Sequence, residues 1–444
     1  MLAGLRRRLA DPALAGQLQA LAGDAPAAAT LSLTLDLGPG AADWLDALPA
    51  GAPFWYQAQP ARGLWRLALG HALQVTSAGA NRFPALANAF AGITGAWRYN
   101  APPLAFCGFA FAEQNAAALP NALLTVPAIV LETHAGRCRA ILSTPAGQLA
   151  GAAANWQKLL AKPAPLSALH LLPRTDQTLA DRAWIARVRA ALRDITGDHM
   201  DKIVLARSRH LEASAPVTPA TLLAALNRQQ PEAMIYACST GDATFLGATP
   251  ERLVRLAGRQ LATDALAGTA WPGSPELAGP KNRHEQALVS QAIVAALARC
   301  CTWAPQVGPL EVRAAGHVSH LRTRISGVAA PGVTIFDLLR ALHPTPAVGG
   351  FPLAAASAWL ATHDEARHGW YSGGFGTLGP NGDGEFHVAL RSALISGHHI
   401  ELQAGAGIVA GSDPDLELAE TDAKLATLLA ALSAVPEYPA SIRA

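Results

Sequence analysis

Three charged side chains near the carboxyl end of the chain have the spacing of one helix face. They are Glu417, Glu420 and Lys424, in the segment SDPDLELAETDAK at 412–424. Residues three or four apart project from the same side of a helix, so these side chains would lie together. The glycine-rich segment AGAGIV at 404–409 precedes them. Two carboxylates beside such a strand end could hold a hard divalent cation and the acidic ligand that the cation carries.

Three further residues could take part in the same chemistry, although each also has an ordinary structural explanation. Lys202 lies in DKIVLARSRHLE at 201–212, where the alternation predicts a strand, and it could simply extend from a sheet edge. Glu251 follows a proline and could be a solvated turn residue, and Glu285 could be one charge on an exposed helix face. Spacing alone therefore supports a carboxylate-bound Mg²⁺ with a nearby lysine, and no more.

The surrounding segments predict a mixture of strands and helices. Alternating apolar residues predict strands at 30–38, 65–73, 104–111, 122–133 and 201–212, and in several segments of 234–258 and 318–409. Apolar residues at helical spacing predict helices at 178–196, 283–301 and 414–433. Strands that resemble antiparallel hairpins, with helices between them, favour an α+β architecture over a doubly wound parallel sheet.

The composition excludes several classes of partner. The chain has 444 residues, of which 51% are apolar and 15% charged, and its formal net charge is +2. Such a balance gives no electrostatic footprint for nucleic acid or a membrane surface, so we expect small-molecule ligands. The five cysteines lack metal-ligand spacing, and Asp11 and Pro12 interrupt any signal-peptide core. These features predict a cytoplasmic enzyme or binding protein.

A glycine motif at 374–379 invites a nucleotide-binding interpretation that its context does not favour. GFGTLG matches the pattern GxGxxG, but a dinucleotide site requires a helix to begin there. The segment PNGDG at 380–384 follows instead, and this composition is typical of a hairpin turn between strands. We therefore predict a glycine-rich hairpin.

Ten short segments occur in a fixed order along the chain. KIVLAR, GATPERL, TDALAGT, KNRHEQALV and HLRT are followed by LHPTPAVGGFP, GWYSG, FHVALRSA, AGAGIV and SDPDLELAETDAK. This set resembles the chorismate-binding enzymes, the family of isochorismate, salicylate, anthranilate and aminodeoxychorismate synthases. The resemblance covers about 104–432, with the catalytic core in 178–432, whereas residues 1–100 share only strand character. It implies a single large α+β domain of two stacked, mainly antiparallel sheets flanked by helices, with the site between the sheets.

The resemblance also implies a reaction. Family members that add water carry a lysine at the position of Lys202, and those that add ammonia usually carry glutamine. Lys202 would thus be the base, because a neutral amine can take a proton from water and glutamine cannot. Glu251 matches the general acid that protonates the departing C4 hydroxyl of chorismate, which requires a raised pKa. The implied activity is that of an isochorismate synthase, an isomerase.

The remaining matched positions imply a magnesium site and a site for the substrate carboxylates. Glu285 and Glu420 match ligands of Mg²⁺, with Glu417 reaching the ion through water. Arg391 matches an arginine that pairs with a substrate carboxylate, for which its planar fork is suited. The other substrate-binding positions are the backbone amides of Gly405, Ala406 and Gly407, the side chain of Lys424, and the pocket residues Tyr371, His320 and Gly268. No organic cofactor and no amidotransferase partner are implied, and we expect a monomer.

Three positions depart from the usual family pattern. Asn282 stands where relatives commonly have an acidic residue, which would weaken Mg²⁺ affinity. Gln286 replaces a histidine beside the metal ligand, and Arg367 lies in RHGW, which departs from the usual order of arginine, glycine and tryptophan. None of these changes touches Lys202 or Glu251, so we expect activity.

Two alternatives to an isochorismate synthase stay open. Salicylate synthases also carry the lysine and then eliminate pyruvate, but they tend to have threonine where this chain has Ala347, so we favour release of isochorismate. A non-catalytic descendant could bind a chorismate-like anion, although the intact set of ionisable groups argues against it. Menaquinone, catecholate siderophores and salicylate all draw on isochorismate, and the sequence leaves its destination open.

Overall fold

The elements below come from a computed structural model that describes residues 1–114, 118–161, 169–172, 176–197, 199–272, 274, 276–316, 318–363 and 367–433. The helices are α1 (Leu2–Leu9), α2 (Pro12–Ala22), α3 (Arg82–Ala96), α4 (Leu149–Leu159), α5 (Thr178–Thr196), α6 (Pro219–Gln229), α7 (Pro280–Ala298), α8 (Ile335–Leu342), α9 (Leu353–Thr362) and α10 (Pro414–Ser433). The strands are β1 (Thr30–Pro39), β2 (Phe54–Gln59), β3 (Leu64–Leu69), β4 (Leu73–Ser77), β5 (Arg98–Tyr99), β6 (Ala105–Phe109), β7 (Ala122–Val126), β8 (Ile129–His134), β9 (Arg137–Pro145), β10 (Lys202–Glu212), β11 (Met234–Ser239), β12 (Thr244–Thr249), β13 (Arg252–Ala257), β14 (Gln260–Ala270), β15 (Gln306–Ala315), β16 (Val318–Val328), β17 (Gly350–Phe351), β18 (Gly374–Leu378), β19 (Gly384–Val388), β20 (Ser392–Ser396) and β21 (His399–Val409).

The strands form two sheets. The larger has the order β17-β10-β21-β20-β12-β11-β2-β3-β8-β9-β1-β5, and the smaller has the order β15-β16-β14-β13-β19-β18-β6-β7-β4. Only β1 and β5, among the strand pairs of the described residues, are parallel. The predicted α+β architecture of two mainly antiparallel sheets is confirmed.

The two sheets stack through a shared aromatic cluster. Trp55 of β2, in the larger sheet, lies 5.7 Å from Phe106 and 5.4 Å from Phe375 of the smaller sheet, measured between ring centroids. All three side chains are buried, and aromatic groups of this size contribute a large share of the apolar area that a core removes from water. The helices cover the outer faces, with α6 and α10 against the larger sheet and α3, α7 and α8 against the smaller. None of the helices in the described residues is long and apolar enough to cross a bilayer.

Most predicted elements are present, and the differences at their ends have local causes. Helix α7 begins at Pro280, before the predicted start at 283, because proline is well suited to the first position of a helix. The predicted strand at 122–133 is two strands, β7 and β8, separated at Pro127, which cannot donate a hydrogen bond to a ladder. Similarly, the predicted strand at 65–73 is divided: β3 ends at Leu69, and Leu73 is the first residue of β4. The GxGxxG segment forms the hairpin β18–β19, as predicted.

Alternation along β10 decides which of its side chains enter the space between the sheets. Ala206 belongs to the buried cluster between the sheets, whereas Ile203 and Leu205 pack on the other face, beneath α5 and α9. Lys202 and Val204 therefore share the inner face with Ala206, because side chains two apart on a strand point the same way. Helices α7 and α10 pack against β14 and β21, and so approach this end of the inner space from two sides.

Candidate active site

A cavity lies between the sheets, at the end where β10 and β21 face β14 and β16. It is enclosed by side chains and backbone from both sheets and by two helices, α7 and α10. The predicted residues that line it are Glu251, Gly268, Glu285, His320, Ala347, Tyr371, Arg391, Gly405, Gly407, Glu420 and Lys424. Most of the predicted site is thus brought together from segments far apart in the chain.

Lys202 lies directly behind this lining. Its side chain is only 1% exposed, and its Nζ lies 2.8 Å from Oε1 of Glu285. Burial by itself would raise the pKa of Glu285. The charge of Lys202, with the charges of Lys281 and Lys424, outweighs burial and holds that pKa below its usual value. Glu285 is therefore an ionised carboxylate that faces the cavity.

Two glycines of β21 leave room for these groups. A Cβ at Gly407 would lie 2.3 Å from Oε1 of Glu285 and 2.9 Å from Cε of Lys202. A Cβ at Gly405 would lie 3.0 Å from the hydroxyl oxygen of Tyr371. Ordinary contacts are longer than these distances, so a larger residue at Gly407 would displace the side chains of Glu285 and Lys202. At Gly405 it would also press on the backbone carbonyl oxygen of Leu205, 2.7 Å from the added Cβ.

The carboxyl group of Glu251 lies in a different environment. The residue connects β12 to β13, is buried, and accepts at its backbone carbonyl a hydrogen bond from the Val388 amide. Burial raises the pKa of Glu251 to about 8, and the charge of Asp264 adds to this effect while that of Lys202 opposes it. A carboxyl group in this state is protonated at neutral pH and can act as an acid.

Arg391 and His320 form a second polar pair in the wall of the cavity. The Arg391 guanidinium lies 3.1 Å from Nε2 of His320, and Nδ1 of His320 lies 3.2 Å from the carbonyl oxygen of Gly268. A guanidinium can only donate and a carbonyl can only accept, so His320 is the neutral tautomer with its proton on Nδ1. Burial, aided by the charge of Arg391, keeps the pKa of His320 well below its usual value. Nε of Arg391 is buried and has no hydrogen-bond partner in the described part of the chain. This N–H group is therefore a donor that a bound anion could use.

The predicted helix face of α10 is present. Glu417 and Glu420 are buried, and the Lys424 side chain is 11% exposed. Lys424 Nζ donates to Oε1 of Glu420 at 2.6 Å and to the carbonyl oxygen of Gly405 at 2.8 Å. Glu417 accepts a short hydrogen bond from Lys281 and lies outside the cavity lining. Burial and the neighbouring charge of Glu420 raise the pKa of Glu417 to about 7, although Lys281 acts against this shift.

The donor set fits a hard divalent cation. Glu285 and Glu420 face one cavity from two helices, and Oε2 of Glu417 is buried without a hydrogen-bond partner among the described residues. In the same part of the chain no three His, Cys, Asp or Glu side chains are grouped as a complete metal site. Mg²⁺ suits this arrangement because it commonly keeps several waters and takes oxygen ligands from the substrate, whereas a closed structural zinc site requires four protein ligands.

Alternating hydrogen bonds determine which amides of β21 remain available. Gly405, Ala406 and Gly407 lie opposite residues 206, 205 and 204 of β10. The amide of Val204 donates to Gly349 on the far side of β10, so Val204 and Gly407 form a non-hydrogen-bonded pair. Alternation then directs the amides of Gly405 and Gly407 away from β10, and that of Ala406 towards it. Ala406 does not line the cavity, and its methyl group packs beneath α5.

Arg367 fixes the wall that carries Ala347. Its guanidinium donates to the carbonyl oxygens of Val348, at 2.7 Å, and Val204, at 2.8 Å, and lies 3.8 Å from the ring centroid of Phe111. The loop that contains Ala347 is thereby attached to the strand that carries the lysine. This contact gives Arg367 a structural role despite the altered sequence around it.

The two other unusual positions also have structural contacts. Asn282 is buried, and its Cβ lies 3.0 Å from where a Cβ at Gly268 would be. Gln286 Nε2 donates to the carbonyl oxygen of Ala265 at 3.1 Å and to Oγ1 of Thr323 at 3.0 Å. Gln286 therefore fastens α7 to β14 and β16.

Sequence reasoning missed several residues of the site. Lys281 is the most consequential of these, and its position four residues before Glu285 on α7 was the available signal, since it places both on one helix face. The cavity lining also includes Val204, Pro250, Leu266, Ala267, Thr269, Val348, Ser372, Leu390, Gln403 and Ala404. These are mostly apolar or backbone contributions, which carry no chemical signature in the sequence.

Comparison with known proteins agrees with this geometry. Residues 22–433 match the family described as chorismate binding enzyme. The solved structure of MenF, the menaquinone-specific isochorismate synthase from Escherichia coli, superposes with a TM-score of 0.77 and 28% identity, covering 95% of this chain and 99% of that one. The likeness therefore includes the N-terminal strands.

Two curated relatives match at higher identity over shorter segments. The salicylate biosynthesis isochorismate synthase of Pseudomonas aeruginosa is 38% identical over 57% of this chain and 55% of its own length. The isochorismate synthase MenF of Escherichia coli is 36% identical over 60% of this chain and 63% of its own length. These alignments span less than two thirds of either relative.

Proposed function

We propose that this chain, which belongs to the chorismate-binding enzymes, is an isochorismate synthase. The names of its relatives support this activity, but one observation of the site carries the proposal. A buried lysine and a glutamate with a pKa of about 8 are held at the same cavity. Lysine is a base suited to water, and a protonated carboxyl group is an acid suited to a leaving hydroxyl.

The reaction exchanges one hydroxyl group of chorismate for another. Lys202 must first give up the ammonium proton that pairs it with Glu285. It then takes a proton from water while the water oxygen bonds to C2 of the ring. The ring double bonds shift, the bond from C4 to its hydroxyl breaks, and Glu251 gives its proton to the departing oxygen. One proton is taken up and one is released, so isochorismate has the same composition as chorismate and the reaction is an isomerisation.

Fixed positive groups bind and orient the two carboxylates of the substrate. Arg391 has an unused buried donor at Nε, and His320 holds its guanidinium from the other side. Lys424 and the amides of Gly405 and Gly407, which point away from β10, supply further donors along β21. Because these donors are fixed before the substrate binds, little reorganisation is required when charge moves in the transition state.

Glu285 and Glu420 would hold Mg²⁺, with Glu417 bound through water. When bound, the ion would neutralise the dianionic substrate and add positive charge beside Lys202. The ion pairs of Glu285 with Lys202 and of Glu420 with Lys424 are compatible with this role, because both carboxylates still line the cavity.

Ala347 supports release of isochorismate over further elimination of pyruvate. It lines the cavity and is held there through Val348 and Arg367. A methyl group offers no hydrogen bond at this wall, whereas the threonine typical of salicylate synthases does. The product analysis must therefore distinguish release of isochorismate from formation of salicylate.

Product analysis tests this function. The purified protein is incubated with chorismate in the presence of Mg²⁺ and, separately, of EDTA, and the products are separated by chromatography. We expect isochorismate that depends on Mg²⁺, without release of pyruvate. Salicylate with an equal amount of pyruvate would identify a salicylate synthase, and absence of conversion in both conditions would contradict the proposal.

A further inference from the structure

The carboxylates of the proposed metal site are each paired with a lysine. A divalent cation that binds there must share these carboxylates with the ammonium groups, each of which contacts one carboxylate oxygen. The pairs are Lys202 with Glu285, Lys424 with Glu420, and Lys281 with Glu417.

Lys281 differs from the other two lysines in its exposure. Its side chain is 34% exposed, whereas those of Lys202 and Lys424 are 1% and 11% exposed. It lies in the first turn of α7, one helical turn before Glu285. Lys281 is therefore the lysine that can turn its ammonium group into solvent without a rearrangement of the core, because long lysine side chains readily extend to water.

The ammonium of Lys281 also lies among the acidic groups of the site. It bonds to Oε1 of Glu417, and the charges of Glu420 and Glu285 attract it as well. Glu417 is 1% exposed and its Oε2 has no hydrogen-bond partner among the described residues. An ionised buried carboxylate that loses its paired cation is strongly destabilising, so the anionic form of Glu417 needs either Lys281 or a replacement for it.

We propose that Lys281 is a built-in competitor for the divalent cation. Its ammonium neutralises the acidic groups when no cation is bound, and it withdraws towards solvent when a cation takes its place. This inference rests on the proposed function, because it presupposes that Glu285, Glu417 and Glu420 bind Mg²⁺. Lys281 is a positioning residue in this account, and it sets the affinity for the cation.

The test compares cation binding and thermal stability in four forms of the full chain. Lys281→Met removes the charge and keeps the length of the side chain, and Lys281→Arg keeps the charge. Lys158→Met is the matched control, since Lys158 is an exposed lysine on α4. Mn²⁺ serves as a paramagnetic probe for binding without substrate, competition with Mg²⁺ gives the affinity for Mg²⁺, and Tm is measured with and without each ion.

We expect Lys281→Met to bind Mg²⁺ about ten-fold more tightly than the unaltered chain, which corresponds to about 1.4 kcal/mol. The Tm of Lys281→Met should be lower without the ion, and saturating Mg²⁺ should remove most of that difference. Lys281→Arg and Lys158→Met should bind Mg²⁺ like the unaltered chain.

Other outcomes would overturn the inference. Unchanged or weaker binding by Lys281→Met, with the same loss of Tm in both conditions, would assign Lys281 a merely structural role. If Lys281→Met shows such binding while the unaltered chain converts chorismate, the inference fails and the proposed function stands. If neither the unaltered chain nor Lys281→Met shows saturable binding of Mn²⁺, the metal site and the inference both fail.

Discussion

Gly407→Ala tests whether catalysis depends on the position of the Lys202–Glu285 pair. The added Cβ would lie 2.3 Å from Oε1 of Glu285, where ordinary contacts begin at 3.4 Å. The carboxylate must therefore move by about 1 Å, since the packed wall of β21 cannot yield as easily as the end of a side chain. The same Cβ would lie 2.9 Å from Cε of Lys202, so the base moves as well.

A displacement of about 1 Å of a positioned catalytic group lowers the rate about 100-fold, equivalent to about 2.7 kcal/mol in the activation free energy. We expect a loss of this size in kcat/KM for Gly407→Ala. The free energy of unfolding should change little, because the displaced atoms belong to flexible side chains and alanine restricts the unfolded chain more than glycine does.

The assay is the initial rate of isochorismate formation, measured together with Tm. Gly92→Ala on α3 is the control, since a Cβ at Gly92 would have no neighbouring atom within 4 Å. Gly92→Ala should retain full activity. A kcat/KM for Gly407→Ala close to that of the unaltered chain, with Tm preserved, would show that the Lys202–Glu285 geometry does not limit the reaction.

Three other substitutions test the chemical roles of single residues. Lys202→Ala should abolish water addition and preserve the circular dichroism spectrum, and retained turnover would exclude Lys202 as the base. The kcat/KM of the unaltered chain should fall as the pH rises through about 8, because Glu251 then loses the proton that it donates. The native state keeps this proton above pH 4.5, where the unfolded chain loses it, so the free energy of unfolding should decline between pH 4.5 and about 8. Glu251→Gln should be inactive, and its free energy of unfolding should lack the decline that Glu251 causes. The same pH dependence of Tm in Glu251→Gln and in the unaltered chain would contradict the raised pKa. Ala347→Thr should increase pyruvate release above that of the unaltered chain, and pyruvate at the same level in both would show that this wall does not control elimination.

Local periodicity was sufficient to predict the elements that carry most of the site. The helical spacing of Glu417, Glu420 and Lys424 is realised in α10, and the alternation of β10 directs Lys202 into the space between the sheets. Each of these groups is positioned by one helix or strand, and the period of that element is visible in a few neighbouring residues.

Contacts between distant elements could not be predicted in the same way. Lys281 and Glu417 are 136 residues apart, and their pairing depends on how α7 and α10 meet across two sheets. The raised pKa of Glu251 likewise results from burial by the stacked sheets, and no neighbouring residue in the sequence reports it. The Gly405 amide points away from β10 and the Ala406 amide points towards it. This difference depends on which residue pairs of β10 and β21 are hydrogen-bonded, which the sequence does not report.

The opposite states of two glutamates in one cavity support the division of roles between them. Glu251 and Glu285 are both buried, and burial by itself raises the pKa of each. At Glu285 the surrounding lysine charges outweigh burial, so this group is an anion that suits a cation and could not serve as an acid. At Glu251 burial prevails, and the group retains a proton at neutral pH. An enzyme can keep one carboxyl group protonated and another ionised at the same pH when their environments shift the two pKa values in opposite directions. Burial and charge alone therefore give Glu251 the protonation state that loss of a hydroxyl requires.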